Sequence, residues 1–151
     1  MRIMAIDYGD AHTGIAISDP TGLLAGFTTV INSRRQEVVV EQVTLLAKEH
    51  GAEELVLGHP VNMDGTLGPR SEKAKAMKAL LEEATALPVV LWDERRTTID
   101  AHNILFNSGK NAKQRKKVVD AVAASLILEG YLTFKLSLIH ISEPTRLDVI
   151  S

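Results

Sequence analysis

The sequence predicts an α/β domain on a mixed sheet, an antiparallel meander followed by parallel strands, with helices on its faces. Three observations lead there. Short apolar runs joined by turn signals occupy the first stretch, Met1 to Val30. The apolar period then changes to three and four residues. Beyond that point, strand-like and helix-like segments alternate, and a βββαβαβα order implies helices laid on a sheet.

Ile3 to Ile6 is a short apolar strand, and "TGIAIS" (Thr13 to Ser18) follows a glycine-containing turn. "LLAGFTTV" (Leu23 to Val30) follows Asp19-Pro20-Thr21-Gly22, whose proline and glycine sit where a type I turn takes them. From Glu37 to His50, Val38, Val39, Gln42, Leu45 and Leu46 recur at helical spacing, and Gly51 closes the segment as a C-terminal cap. "ELVLGHP" is a buried strand ending at Gly58, and "VNMDGTLGPR" a loop. Ser71 to Leu87, rich in Ala, Lys, Glu and Leu, is a helix, and "PVVLWDE" another buried strand. Thr97 with Asp100 resembles a capping box opening a helix to about Phe106. "NSGKNAKQRKK" interrupts the pattern before a last helix, Val118 to Leu132.

A chain of 151 residues suits one domain with a real core. With 45 % apolar and 24 % charged residues it has the composition of a soluble globular protein. A net charge of −2 means that any nucleic-acid contact must come from a local basic patch. The absence of cysteine excludes a disulfide framework, a thiolate zinc site and a cysteine nucleophile. No apolar run approaches the roughly 18 residues of a membrane span, and no signal-peptide pattern opens the chain. A soluble cytoplasmic protein is the expectation.

Three carboxylates lie where a carboxylate is costly. Asp7 ends the first strand, and Asp93 and Glu94 end the strand "PVVLW". Asp120 has Ala123, Ala124 and Ile127 at i+3, i+4 and i+7, so it sits on the apolar stripe of the last helix. A lone carboxylate is expensive there, whereas several converging ones can hold Mg²⁺ or Mn²⁺. Each also has a plainer explanation. Asp7 could cap a turn, Glu94 could pair with Arg95 or Arg96, and Asp120 with Lys116 or Lys117 one turn earlier.

Four stretches taken together carry a family resemblance: "IDYGDAHTGIAISD", "LVLGHPVNMDGTLGPRSEKA", "VVLWDERRTT" and "KKVVDAVAASLILEGYL". In order and spacing the chain, from Met1 to about Phe134, resembles the YqgF/RuvX-like nucleases of the RNase H-like superfamily. Those proteins are described as Holliday-junction-resolvase-like and as processing the end of precursor 16S rRNA. The resemblance implies an RNase H-like fold with a five-stranded mixed sheet. It further implies divalent-metal-dependent hydrolysis of phosphodiester bonds, with Asp7, Glu94 and Asp120 as catalytic residues and ligands of Mg²⁺ or Mn²⁺. The chain departs from the family at His12, where Arg or Lys is usual, and at His59, where Leu is common.

"KNAKQRKK" carries five basic residues, Lys110, Lys113, Arg115, Lys116 and Lys117, directly before the helix of Asp120. With Arg70, Arg95, Arg96 and Asn62 they are the candidate nucleic-acid contacts, since phosphate contacts set affinity and position. A solvated loop is the plainer alternative. Aromatic residues are only 4 % of the chain, which favours recognition by shape and backbone over base stacking. The expected partner is precursor rRNA or branched DNA, with no membrane, and the expected state a monomer or homodimer.

Two other functions compete. "DYGDAHTG" resembles the phosphate loop of actin/sugar-kinase-type phosphotransferases, but that architecture duplicates the core, and residues 1–134 hold only one. A catalytically inactive nucleic-acid-binding module is the other, against which the three carboxylates stand. Residues 1–134 are therefore expected to form the nuclease domain. Residues 135–151, containing "LSLIHISEPTR", resemble a translated sequencing adapter and are expected to be a non-native tail; a genuine docking tail is the alternative.

Overall fold

The structure, a computed structural model of the chain, describes residues 2–19, 25–60, 68–93 and 121–135. Strand β1 (Ile3–Asp7) lies at the centre of a five-stranded sheet in the order β3-β2-β1-β4-β5. Its sequence suits that place: Met4, Ala5 and Ile6 are wholly buried, as a strand covered on both faces requires. Strands β2 (His12–Ser18) and β3 (Ala25–Asn32) continue antiparallel from one side of β1. Strands β4 (Glu54–His59) and β5 (Val89–Asp93) run parallel to it on the other. The mixed sheet expected from the element order is thus present.

Helix α1 (Gln36–His50) returns the chain from β3 to β4, and α2 (Pro69–Thr85) joins β4 to β5. Both cover one face of the sheet. Val39, Val43 and Ala47 of α1 and Ala74, Met77 and Leu81 of α2 pack on Met4, Ile6, Ile15, Ile17, Leu55 and Leu57. The buried stripe of α1 differs from the one expected: Leu45 is 53 % exposed and Gln42 faces water. The i, i+4, i+8 series from Val39 faces the sheet, while Leu45 lies outside that stripe.

Residues 121–135 are helical and form α3. Ala124, Ile127, Leu128, Tyr131 and Leu132 cover the opposite face, on Ile3, Ala5, Val56 and Trp92. Trp92 meets Tyr131 edge-on, with ring centroids 5.7 Å apart, and it approaches Gly130 so closely that a Cβ there would lie 3.3 Å from its ring. This contact explains a glycine inside a helix, where it otherwise costs about 1 kcal/mol.

Several boundaries move. Helix α1 ends at Gly51 as expected, with left-handed φ 67 and ψ 35. Helix α2 begins at Pro69 rather than Ser71, with the proline in the first turn, where its missing N–H is harmless. It ends at Thr85 rather than Leu87: Ala86 takes a left-handed φ of 57, and Leu87 precedes Pro88, which disfavours helical geometry. Strand β3 runs on to Asn32, β4 reaches His59 rather than stopping at Gly58, and α3 continues to Lys135 rather than Leu132. The turn at Pro20 to Gly22, the helix from Thr97 to Phe106 and the residues after Lys135 lie outside the described residues. Among the described residues no helix is long and apolar enough to cross a membrane.

Candidate functional site

Three parallel strands end at one edge of the sheet, and each ends on a polar side chain. These are Asp7 of β1, His59 of β4 and Asp93 of β5, with His59 and Asp93 paired in register. The crevice outside the carboxyl ends of parallel strands is where α/β sheets commonly bind ligands. The three side chains do not share a face. Asp7 alternates with Ile3 and Ala5 and so emerges on the α3 side. His59 and Asp93 alternate with Leu57 and Leu91 towards the α1/α2 side.

Asp7 is only half-buried and pairs with Gly14 of β2, so no side chain stands opposite it. The glycine behind it in the sequence also has a local cause. A Cβ on Gly9 would lie 2.4 Å from the backbone oxygen of His12, so the turn from β1 to β2 closes only without one. His12, on the Asp7 face, donates from Nδ1 to Oδ1 of Asn32 at 2.7 Å. That oxygen can only accept, so the proton sits on Nδ1 and Nε2 is left for another partner.

On the α1/α2 side, Nε2 of His59 and the wholly buried hydroxyl of Ser71 are 2.6 Å apart, which ties the first turn of α2 to the end of β4. Arg70, an expected nucleic-acid contact, is exposed in that same turn. With Tyr8, Asp10, Pro60 and Lys73 it lines a small cleft, across which Lys73 Nζ reaches Asp10 Oδ1 at 3.2 Å. Ser71, Lys73 and Asp10 were not among the residues expected from the sequence. Ser71 itself opens the buried stripe of α2, which Ala74, Met77 and Leu81 continue at three- and four-residue spacing.

The remaining expected site residues lie outside the described residues: Glu94 and Asp120, Arg95 and Arg96, Asn62, and Lys110, Lys113, Arg115, Lys116 and Lys117. Among the described residues no three of His, Cys, Asp and Glu gather closely enough to hold a metal ion. Asp7 is the one member of the expected triad in view. Its hard oxygen donors, on a half-buried residue at the end of β1, suit Mg²⁺ or Mn²⁺ in kind.

Comparison with known proteins supplies the family. A family model described as "RuvX: Holliday junction resolvase" matches residues 1–134. A protein of Halothermothrix orenii named "Putative pre-16S rRNA nuclease" is 43 % identical over 135 residues, 89 % of this chain and 96 % of its own. One of the same name from Listeria monocytogenes is 44 % identical over 134 residues, 87 % of this chain and 97 % of its own. Among solved structures, Thermus thermophilus RuvC in complex with Holliday junction substrate superposes with a TM-score of 0.61 at 14 % identity, covering 89 % of this chain and 96 % of that one. The fowlpox virus resolvase with Holliday junction DNA gives 0.55 at 12 %, covering 90 % and 99 %. At such identities the likeness concerns the fold, which is RNase H-like, as expected. With 134 residues matched in a single run, the chain belongs to the RuvX family of Holliday junction resolvases.

Proposed function

We propose that this protein is a nuclease that hydrolyses phosphodiester bonds in structured nucleic acid, and that it matures the end of precursor 16S rRNA in the cytoplasm. Four-way DNA junctions are the second substrate to test, and cutting both strands of one would call for a symmetric dimer. The observation that carries the proposal is the place of Asp7. It stands at the shared carboxyl edge, on the sheet face covered by α3. In the chain Asp120 immediately precedes α3, and Glu94 immediately follows Asp93 at the end of β5.

In this mechanism Asp7, Glu94 and Asp120 would hold Mg²⁺ or Mn²⁺ through their carboxylate oxygens. A divalent ion held there would supply Lewis-acid chemistry, making water easier to deprotonate and offsetting charge on the leaving oxygen. Water adds to phosphorus, the P–O ester bond breaks, and the leaving oxygen takes up a proton. Arg70, Arg95, Arg96, Asn62 and the basic stretch from Lys110 to Lys117 position the backbone. The names of the relatives support the substrate, and the family match supports the chemistry.

The test is cleavage of a structured RNA carrying the precursor 16S end, and of a four-way DNA junction, with Mg²⁺ or Mn²⁺ and with a chelator. Wild type is expected to cut one of them only with metal, and Asp7→Asn to lose at least about a hundredfold in rate, in line with losing an electrostatic anchor of the transition state. Metal-dependent cutting that survives Asp7→Asn would remove Asp7 from the mechanism. No cutting of either substrate would favour a binding module instead.

A further inference from the structure

We propose that the cleft between the β1–β2 turn and the first turn of α2 is a second seat for the phosphodiester backbone. Lys73 there exchanges its partner Asp10 for a phosphate when nucleic acid binds. The proposal rests on the nuclease function above and extends it to the other side of the sheet edge. Asp7 faces α3, whereas Tyr8, the next residue, packs on the α1/α2 side and lines the cleft. A strand engaged at Asp7 therefore meets this cleft on crossing the edge.

Its chemistry suits a polyanion. Arg70 and Lys73 are three residues apart on α2, hence on one face, and both are exposed. They flank the amino end of the helix, where the backbone dipole favours negative charge. Among the described residues no carboxylate pairs with Arg70. The turn that carries both cations is held in place from below by the bond between His59 and buried Ser71. The backbone beneath both cations is thus ordered before binding, and only their side chains remain to be fixed.

Asp10 gives the cleft its second property. Its bond to Lys73 is 3.2 Å long, with side chains 72 % and 59 % exposed. Such a pair is weak and readily displaced, and a phosphate offers Lys73 the same kind of acceptor. Until then the carboxylate occupies the lysine. Asp10 is thus a stand-in for the ligand, and its removal should tighten binding.

The experiment measures binding of a labelled structured RNA and of a labelled four-way DNA junction by the full chain. An Asp7→Asn background together with a chelator suppresses cleavage, and salt is varied between about 50 and 300 mM. Lys73→Gln is expected to weaken binding about fivefold at low salt and to reduce the salt slope by about one. Asp10→Asn is expected to tighten it about threefold, within the range of an exposed ion pair. In the Lys73→Gln background Asp10→Asn should do nothing, because the exchange has lost its lysine.

An effect on one probe or both supports the proposal and identifies the nucleic acid that uses the cleft. Unchanged affinity and slope in Lys73→Gln with both probes overturn it. Tightening by Asp10→Asn that persists without Lys73 overturns the exchange, since the carboxylate would then act by its own charge. Failure here beside Asp7-dependent cleavage leaves the nuclease function standing. The expected binding pattern without any cleavage would sink that function alone.

Discussion

The hydroxyl of Tyr131, on α3, donates to Oε1 of Glu54, the first residue of β4, at the opposite end of β4 from the candidate site. Lys135 donates to the other carboxylate oxygen at 2.8 Å, so a glutamate only 8 % exposed is satisfied by two groups of one helix. This network fastens the carboxyl-terminal turns of α3 to the sheet. Tyr131→Phe is expected to lower stability by about 1.5 to 3 kcal/mol, the range for a hydrogen bond to a charged acceptor. Urea unfolding at neutral pH measures it. No loss would mean that Lys135 alone satisfies Glu54.

The same tyrosine makes stability depend on alkaline pH. Burial first, then the hydrogen bond to Glu54 and its negative charge, push the phenol well above the ordinary tyrosine range. Its pKa is raised on folding, so its contribution is complete below the unfolded value of about 10 and is lost as pH rises beyond it. Wild type should therefore lose stability between about pH 10 and 11 more steeply than Tyr131→Phe. Parallel curves would show that the phenol ionises alike in both states.

Gly9→Ala places a Cβ against the backbone oxygen of His12 at 2.4 Å, and neither atom belongs to a flexible side chain. The turn must shift. A cost of about 1 to 3 kcal/mol is expected, as for other forced contacts in a packed region. Cleavage should fall further than the folded fraction does, because the turn follows Asp7 directly. A thermal melt read beside the cleavage rate at low temperature separates the two effects.

The two leucines Leu81 and Leu45 should behave differently. Leu81 of α2 is wholly buried, and Leu81→Ala is expected to cost about 2 to 5 kcal/mol. Leu45 of α1 is 53 % exposed, and Leu45→Ala should stay within about 0.5 kcal/mol. Equal losses in chemical denaturation would place Leu45 against a partner.

Removing residues 136–151 tests the expectation that they are a non-native tail. A chain ending at Lys135 should melt within about 2 °C of the full chain, since α3 keeps its contacts. Ending it at Phe134 also removes the ion pair to Glu54 and should lower the midpoint further. A large loss on removing only 136–151 would show that the tail docks on the domain.

How α1 meets the sheet shows where sequence periodicity stops being informative. Val38, Val39, Gln42, Leu45 and Leu46 announce a helix, yet the stripe that packs is Val39, Val43 and Ala47. Several faces of that helix are apolar enough to be candidates, and the neighbouring surface chooses among them. The cleft residues were harder to anticipate. Asp10 and Lys73 are 63 residues apart and each is an ordinary exposed charge, so nothing local to either marks the pair.

The sequence by itself determined the strand and helix order, the mixed sheet, the cap at Gly51, and the motifs that place the chain in its family. These follow from local periodicity, turn chemistry and spacing, which survive in one dimension. Only the tertiary structure decided that Asp7 faces α3 while Tyr8, Arg70 and Lys73 meet on the other side of the same edge. Strand pleat sends adjacent residues to opposite faces, and which helix covers each face is settled by packing between distant segments.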